Sequence, residues 1–546
     1  MKTAKQWDLK RQAKLAKMAK IAPMLNGKYI SSDNIVAALE ALINPGDKVV
    51  LEGDNQKQAS FLSQKLLEVD TAKVNNLHMI MPSVSRPEHL TIFEKGIAKK
   101  LDFSYAGAQS LRISQMIEDQ VVQLGDIHTY LELYGRLFID LIPNVVLVAA
   151  DKADREGNLY TGFNTEETPT IIESAAFKDG IVIVQVNEMV DQLPRIDIPA
   201  SWVDAIVVAD EPYALEALFT RDPKAITEIQ ILMAMMAIRG IYERHQVQSL
   251  NHGIGFNTAA IELLLPTYGE QLGLKGKIAK HWALNPHPTM IPAIESGWVE
   301  SIHSFGGEVG MENYIRARPD IFFTGSDGSM RSNRAMCQVA GQYAVDMFIG
   351  SSLQIDKEGN SSTVTLGRLS GFGGAPNMGH NPGGRRHSTP AWLDLAGKDE
   401  LAKGRKIVVQ MVETYGANKK PVIVDRLDAI EVKKQAGLDI VPIMIYGDDT
   451  THLVTEEGIA YLYKTEGLEE RRAAIAAVAG VTPIGDNVDE AKVRDLRDKG
   501  IVALPEDLQV ARTEAKRSLL AAHSIEDLVQ WSDGLYVPPA KFRSWS

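Results

Sequence analysis

The chain has 546 residues, of which 45% are hydrophobic and 23% charged, and it carries a net charge of −12. That length exceeds what a single core usually organises, so two large domains are expected, and the acidic balance argues against nonspecific nucleic-acid binding. No apolar run is long enough to span a bilayer, no secretory leader is evident, and the single Cys337 cannot form an internal disulfide, so a cytoplasmic protein with no membrane partner is expected.

Residues 1–20 oppose the overall charge, with Lys2, Lys5, Lys10, Arg11, Lys14, Lys17 and Lys20 against Asp8 alone. Leu9, Ala13, Ala16 and Ala19 at helical spacing predict a short helix, either a dock for an acidic partner or a solvated, frayed end. Farther along, VVLEGDNQKQASFLSQKL from Val49 reads as a strand, a turn at Gly53 and a helix. The same plan returns about two hundred residues later in QSLNHGIGFNTAAIELLL from Gln248, with Gly253 and Gly255 in its turn. A second pair follows in the same order. VVLVAADKADREGN (145–158) and FIGSSLQIDKEGN (348–360) each run from an apolar stretch to Asp, a basic residue and Glu-Gly-Asn, with Asp154 and Asp356 202 positions apart. Repetition at this length signals duplicated domains rather than a solenoid.

Within each copy, β-branched runs at 181–186, 206–208 and 407–409 alternate with helical patterns at 223–239 and 467–478. This alternation predicts an α/β fold of two tandem related domains with mainly parallel sheets, 1–245 and 246–546, facing each other across a cleft. In such sheets ligands sit beyond the carboxyl ends of the strands, where both glycine turns fall.

The densest signal is 371–387, GFGGAPNMGHNPGGRRH, with six glycines in its first fourteen positions. Gly371, Gly373 and Gly374 let main-chain N–H groups approach a ligand oxygen, and Pro376, Asn377 and Pro382 argue for a fixed path. The loop is not a dinucleotide fingerprint, because Pro376 stands where a third glycine is needed. Phosphate-loop, zinc-protease and EF-hand spacings are absent, and His252, His281, His287, His303, His380, His387 and His452 are scattered, so no metal is expected. Cys337 reads as a small buried hydrophobe, and GSDGSMRSNR (325–334) reads equally well as a polar turn ahead of a helix.

HGIGFNTAAIELLL, SGFGGAPN and THLVTEEGIAYLY, the last followed by Glu469, Glu470, Arg471 and Arg472, resemble ordered motifs of the coenzyme A transferase superfamily over most of the chain. The longer GFGGAPNMGHNPGGRRHSTPAW is similar to the malonate decarboxylase alpha-subunit family. The resemblance implies exchange of acetate for malonate on an acyl carrier protein thioester, with decarboxylase subunits as further partners. No permanently bound cofactor is implied. The carrier would bring a phosphoribosyl-dephospho-coenzyme A arm, and free coenzyme A is left open as a ligand. Gly373, Gly374 and Asn377 are the implied catalytic positions. Gly253, Gly255, Asn285, Gly371, Phe372, Ala375, Arg385 and Arg386 are the implied substrate and thioester positions. Arg385 or Arg386 would grip the spare malonate carboxylate or else form a basic edge for the carrier. Asn377 and Asn285 would bond the acyl group or cap turns.

The superfamily's nucleophilic glutamate has no counterpart here, since KIAKHWALNPHPTMIPAIESG holds no acid before Glu295. Direct attack by malonate through a mixed anhydride is therefore expected, with Glu456 and Glu457 as the remaining candidates for a covalent route. The alternatives are a citrate lyase-like or free-coenzyme A transferase, and a non-catalytic scaffold that docks the carrier.

Overall fold

A computed structural model describes residues 6–54, 56–380 and 406–543. Two large sheets organise it, one of ten strands and one of eight. Six strands of the first are β1 (Lys48–Leu51), β2 (Leu77–Val84), β3 (Ala98–Ala106), β4 (Val145–Asp154), β5 (Ile181–Val190) and β6 (Ala205–Val208), and they lie in the order 6-5-4-1-2-3. Six of the second are β7 (Ser249–His252), β8 (His281–Ala283), β9 (Ser301–His303), β10 (Met347–Gly350), β11 (Ile407–Met411) and β12 (His452–Val454), in the order 12-11-10-7-8-9. The two orders superpose strand for strand, and every neighbouring pair among the twelve is parallel. The duplication and the mainly parallel α/β architecture expected from sequence are both present.

The repeated Asp-basic-Glu-Gly-Asn string folds identically in both copies. The Asp154 carboxylate accepts the amides of Glu156 (3.0 Å) and Asn158 (2.9 Å), and the Asn158 side chain returns a bond of 2.8 Å. Asp356 does the same with Glu358 (2.9 Å) and Asn360 (3.0 Å), and the Asn360 side chain closes the turn at 3.0 Å. Gly157 and Gly359 take φ of +93° and +91°, so the glycine in the string is a backbone requirement.

Parallel strands buried on both faces read as continuous apolar runs. In β1, Val49 and Leu51 pack into one apolar layer and Val50 into the layer on the opposite face; Ile181 and Ile183 of β5 face the first, Val182 and Val184 the second.

Helix α1 (Gln6–Ile21) covers the described part of the predicted basic segment, and three of its basic side chains find acidic partners within this chain. Lys14 pairs with Asp204 at 2.7 Å, Lys17 with Asp47 at 3.0 Å and Arg11 with Asp179 at 3.2 Å, so its acidic surface is this chain's own. Helix α2 (Tyr130–Ile139) starts on a reciprocal cap between Thr129 and Glu132. The division between lobes also shifts. Helix α3 (Glu228–Ala237) falls on the first side of the sequence boundary near 245, yet its Ile231, Met235 and Met236 pack with Leu250 and with Ile261 of helix α4 (Phe256–Leu264). By packing, the junction lies between Ala209 and Ile226. In the opposite sense, Val364, Leu369, Val432 and Leu438 of the second half join the first lobe's core. Among the described residues no helix is long and apolar enough to cross a membrane.

A buried polar chain braces the end of β3. Asp102 accepts from His78 at 2.5 Å and from His128 at 2.7 Å, and the second His128 nitrogen meets Glu132 at 3.2 Å. Burial opposes a charge on His128, but bonds to two carboxylates outweigh it and raise its pKa to about 9. A raised histidine stabilises fully below its unfolded value of about 6.5 and loses that contribution as pH climbs through its folded value. Urea titrations of wild type and His128→Gln should therefore differ most near pH 6, and the difference should shrink by about 2 to 3 kcal/mol by pH 10. A pH-independent difference would contradict the charged assignment.

Candidate functional site

A cavity of about 350 Å³ lies where the carboxyl ends of strands from the two sheets approach each other. Gly253 follows β7, Asn285 follows β8, Gly350 ends β10 and Tyr105 comes from the end of β3; all four line it, with Gly371, Phe372, Gly373, Gly374 and Ala375. The structure thus gathers seven of the eleven sequence-predicted positions around one space.

The glycine loop is stitched onto the first lobe. Ala106 N–H donates to Ser370 O at 2.9 Å, and the amides of Phe372 and Gly373 both donate to Ser104 O, at 2.7 and 2.9 Å. Tyr130 N–H then donates to Gly373 O at 3.1 Å. Gly371 has φ of +72°, and a Cβ there would stand 2.4 Å from Ser104 O, so only glycine fits the crossing. This geometry corrects one expectation. The Gly373 amide already has its acceptor and cannot be a free oxyanion donor. The next amide, Gly374, has no acceptor among the described residues, and the Ala375 amide closes back on Phe372 O at 3.3 Å.

Of the other four predicted positions, two are described and do not line the cavity. Asn377 does not line the cavity; its Oδ1 accepts from Leu131 N at 3.4 Å and caps α2. Gly255 sits in extended backbone at the start of α4, outside the lining. Arg385 and Arg386 lie outside the described residues. Asn285 does face the cavity, with its amide nitrogen 3.3 Å from Gly306 O.

No Asp or Glu is among the described residues that line the cavity. Glu456 accepts from the Thr414 amide and hydroxyl, Glu457 pairs with Arg512 at 2.9 Å, and Glu295 pairs with Arg318 at 2.5 Å and accepts from Tyr314. Each is committed away from the site.

The sequence did not disclose two charged clusters that reach the walls. Helix α5 (Arg334–Ala344) begins with a fully buried guanidinium that meets Asp54, Glu166 (2.7 Å) and Glu167 (2.8 Å), between the rings of Tyr130 (4.6 Å) and Phe305 (4.5 Å). Burial pushes Glu167 up to about 8 and Glu166 well upward, while Arg334 draws both back. Only the polar-turn reading of 325–334 touched this arginine. Under the opposite wall, Glu262 accepts from His252 Nδ1 at 2.9 Å, His287 Nε2 at 3.0 Å and Thr289 Oγ1 at 2.5 Å. His287 Nδ1 faces the Asn285 carbonyl at 2.7 Å. A carbonyl only accepts, so Nδ1 carries a proton; with a carboxylate at the other nitrogen, the ring is a cation. Burial alone would lower the His287 pKa, but Glu262 raises it. His252 and His287, scattered in sequence, share one carboxylate in space.

Cys337 lines the cavity but is buried, and burial pushes its thiol up to about 12, which keeps it protonated. Gln338 lies beside the loop: a Cβ on Gly374 would meet its Nε2 at 2.5 Å, and its Oε1 has no hydrogen-bond partner among the described residues.

A family model described as malonate decarboxylase, alpha subunit, transporter, matches residues 6–545. The chain is 58% identical over 526 residues, 95% of each chain, to an acetyl-S-ACP:malonate ACP transferase of Malonomonas rubra. It superposes with a TM-score of 0.96 on a chain of a Pseudomonas malonate decarboxylase hetero-tetramer solved in complex with malonate, at 65% identity and 100% coverage of both. A citrate lyase alpha subunit from Streptococcus mutans aligns at a TM-score of 0.58 and 17% identity, covering 84% of this chain and 87% of that one, and shares the fold.

Arg334 is the cation on which three buried carboxylates depend. Removing one partner of such a cluster typically costs about 3 to 5 kcal/mol because charge is left buried and unpaired. Arg334→Met should lower unfolding stability by about that amount, and more at pH 9 than at pH 6, where the carboxyls can take up protons. Chemical denaturation at the two pH values checks both the size and the sign.

Proposed function

Because the chain belongs to the malonate decarboxylase alpha-subunit family, we propose that it is the transferase of a multisubunit complex, exchanging the acetyl group on an acyl carrier protein thioester for malonyl and releasing acetate. The observation that carries the mechanism is a cavity that offers an unengaged loop amide and, among its described lining residues, no carboxylate.

The chemistry follows from those two facts. Malonate is already ionised at neutral pH, so one of its carboxylate oxygens attacks the acetyl carbonyl carbon without a general base. The tetrahedral oxyanion collapses with cleavage of the C–S bond, leaving acetyl-malonyl anhydride and the carrier thiolate. That thiolate attacks the malonyl carbonyl, the anhydride C–O bond breaks, and acetate departs. No proton or electron is gained or lost overall.

What the protein supplies is position and preorganised polarity. The Gly374 N–H, with the neighbouring Gln338 amide, faces the developing oxyanion. The His287 imidazolium beside Asn285 adds positive potential from the cavity lining, and Phe305, Phe348, Phe372 and Met378 keep the space largely dry. A carrier protein's arm delivers the thioester as substrate, and this chain holds no resident group in this reading.

Gly374→Val forces a branched side chain against Gln338 and displaces the donor. Loss of one such donor costs about 3 to 4 kcal/mol, so kcat for label exchange between acetyl carrier and malonate should fall at least about a hundredfold with little change in thermal unfolding. Borohydride quenching during turnover should yield no reduced glutamyl residue. Detection of one, or full activity in the valine variant, refutes the direct route.

A further inference from the structure

Two arginines face the cavity with most of their donors unengaged. Arg221 gives Nη1 to the carbonyls of Leu218 (2.7 Å) and Thr220 (3.1 Å), while its Nε and Nη2 have no acceptor among the described residues. Its face covers the ring of Phe256 at 5.7 Å. Burial lowers its pKa, and no carboxylate lies within ion-pair distance among the described residues. The nearest acid that acts on it, Glu308, is turned to the Phe219 and Thr220 amides at 3.0 and 3.3 Å, and burial holds it up at about 7. Arg368, exposed on its hairpin, donates through Nε to Ser370 Oγ at 3.2 Å and has no other acceptor among the described residues. Both guanidinium charges act on the Tyr105 hydroxyl, which places them toward one wall.

A partly buried guanidinium without a counter-ion, as at Arg221, is costly, and an anionic ligand in the cavity would supply the missing charge. We propose that Arg221 and Arg368 seat the non-reacting carboxylate of the dicarboxylate acceptor and so select malonate over a monocarboxylate. This assignment rests on the transferase reading above and names the residues that give it substrate preference.

Two features favour a small dicarboxylate over the phosphates of a carrier arm. Arg368 belongs to the same stitched segment as the loop: Thr363 Oγ1 donates to Gly371 O, and Ser370 O accepts from Ala106 N–H at 2.9 Å. Its backbone is therefore tied to the same segment as the Gly374 amide. Malonate has one carbon between its carboxylates, which suits a seat beside the oxyanion donor, whereas the phosphates of a pantetheine-type arm lie at the far end from its sulfur. Guanidinium also suits bidentate recognition of a carboxylate.

The test uses the complete complex with acetyl carrier protein and either malonate or labelled acetate as acceptor, in wild type, Arg221→Gln, Arg221→Lys and Arg368→Gln. Each glutamine variant should lower the ratio of kcat/KM for malonate to that for acetate by about tenfold or more, through KM for malonate, with the lysine variant in between. Calorimetric titration of malonate into the same proteins should weaken by a similar factor, and Arg368, exposed on its hairpin, provides a variant with an undisturbed fold. An equal loss toward both acids with a raised KM for the carrier overturns the assignment and gives the arginines to the arm's phosphates; an unchanged ratio with unchanged malonate affinity overturns it as well. A wild-type complex that binds malonate but transfers to neither acid refutes instead the transferase reading.

Discussion

One carbonyl organises the site. Ser104 O, at the carboxyl end of β3, accepts two consecutive amides from a loop that belongs to the other half of the chain. Two donors on one oxygen fix the loop's direction as well as its position, and the approach is close enough that residue 371 cannot carry a Cβ. The hairpin before the loop sinks Val364 and Leu369 into the first lobe's core, so the crossing is backed by apolar burial. The consequence is arithmetic along the backbone. The amides of 372 and 373 are committed, that of 375 turns back on 372, and that of 374, in the cavity lining, has no acceptor among the described residues.

Electrostatics around that amide are arranged in opposite senses at different depths. At one wall, Arg334 is outnumbered by Asp54, Glu166 and Glu167, and burial moves two of those acids toward protonation. At the other, Glu262 has His287 as its counter-charge and His252 and Thr289 as further donors. In both clusters the cation has a carboxylate partner, which Arg221 and Arg368 lack among the described residues. A protein of net charge −12 thus encloses a space whose unengaged charges are positive. Such a space suits the proposed direct route, in which the acceptor acid and the leaving acid are both anions.

What the sequence disclosed depended on whether a feature was local. The Glu-Gly-Asn turn was legible because Asp154, Gly157 and Asn158 complete a hydrogen-bonded unit within five residues, and the same chemistry recurs at Asp356. The glycine loop was legible because close backbone approach demands glycine whatever it approaches. Which amide would be free was not, since that depends on Ser104, far away in the chain. Arg334 and the Glu262 pair were invisible for the same reason: their partners are 10 to 280 positions away and carry no recognisable spacing. Asn377 misled because an amide side chain beside a glycine loop reads as a ligand donor, while in space it caps a helix of the other lobe. The lobe boundary slipped because the helix at 228–237 is apolar nearly all round, a pattern that marks burial without saying in which core.

The duplication also explains why the site is single. Both copies place a glycine just beyond a strand that occupies the same position in its sheet. After β7, Gly253 stands against Gly350, a Cβ would come 3.0 Å from that glycine's Cα, and the turn borders the cavity. After β1, Gly53 is covered: a Cβ would meet Ser83 O at 2.5 Å and the ring of His89 at 2.7 Å. His89 is fully buried and held down to about 4 by that burial, so it fills the position as a neutral wedge. The residues on either side of Gly53 have turned inward. Glu52 accepts from the Ala149 amide at 2.7 Å and from Thr168, and Asp54 meets Arg334. In the first copy, then, the turn that could have admitted a ligand instead holds Asp54, which anchors α5, and α5 carries Gln338 to the glycine loop. One copy supplies the opening and the other supplies the anchorage, and a substitution at Gly53 would reach the cavity through Arg334 and through Ser83, whose hydroxyl meets Tyr130 at 3.1 Å.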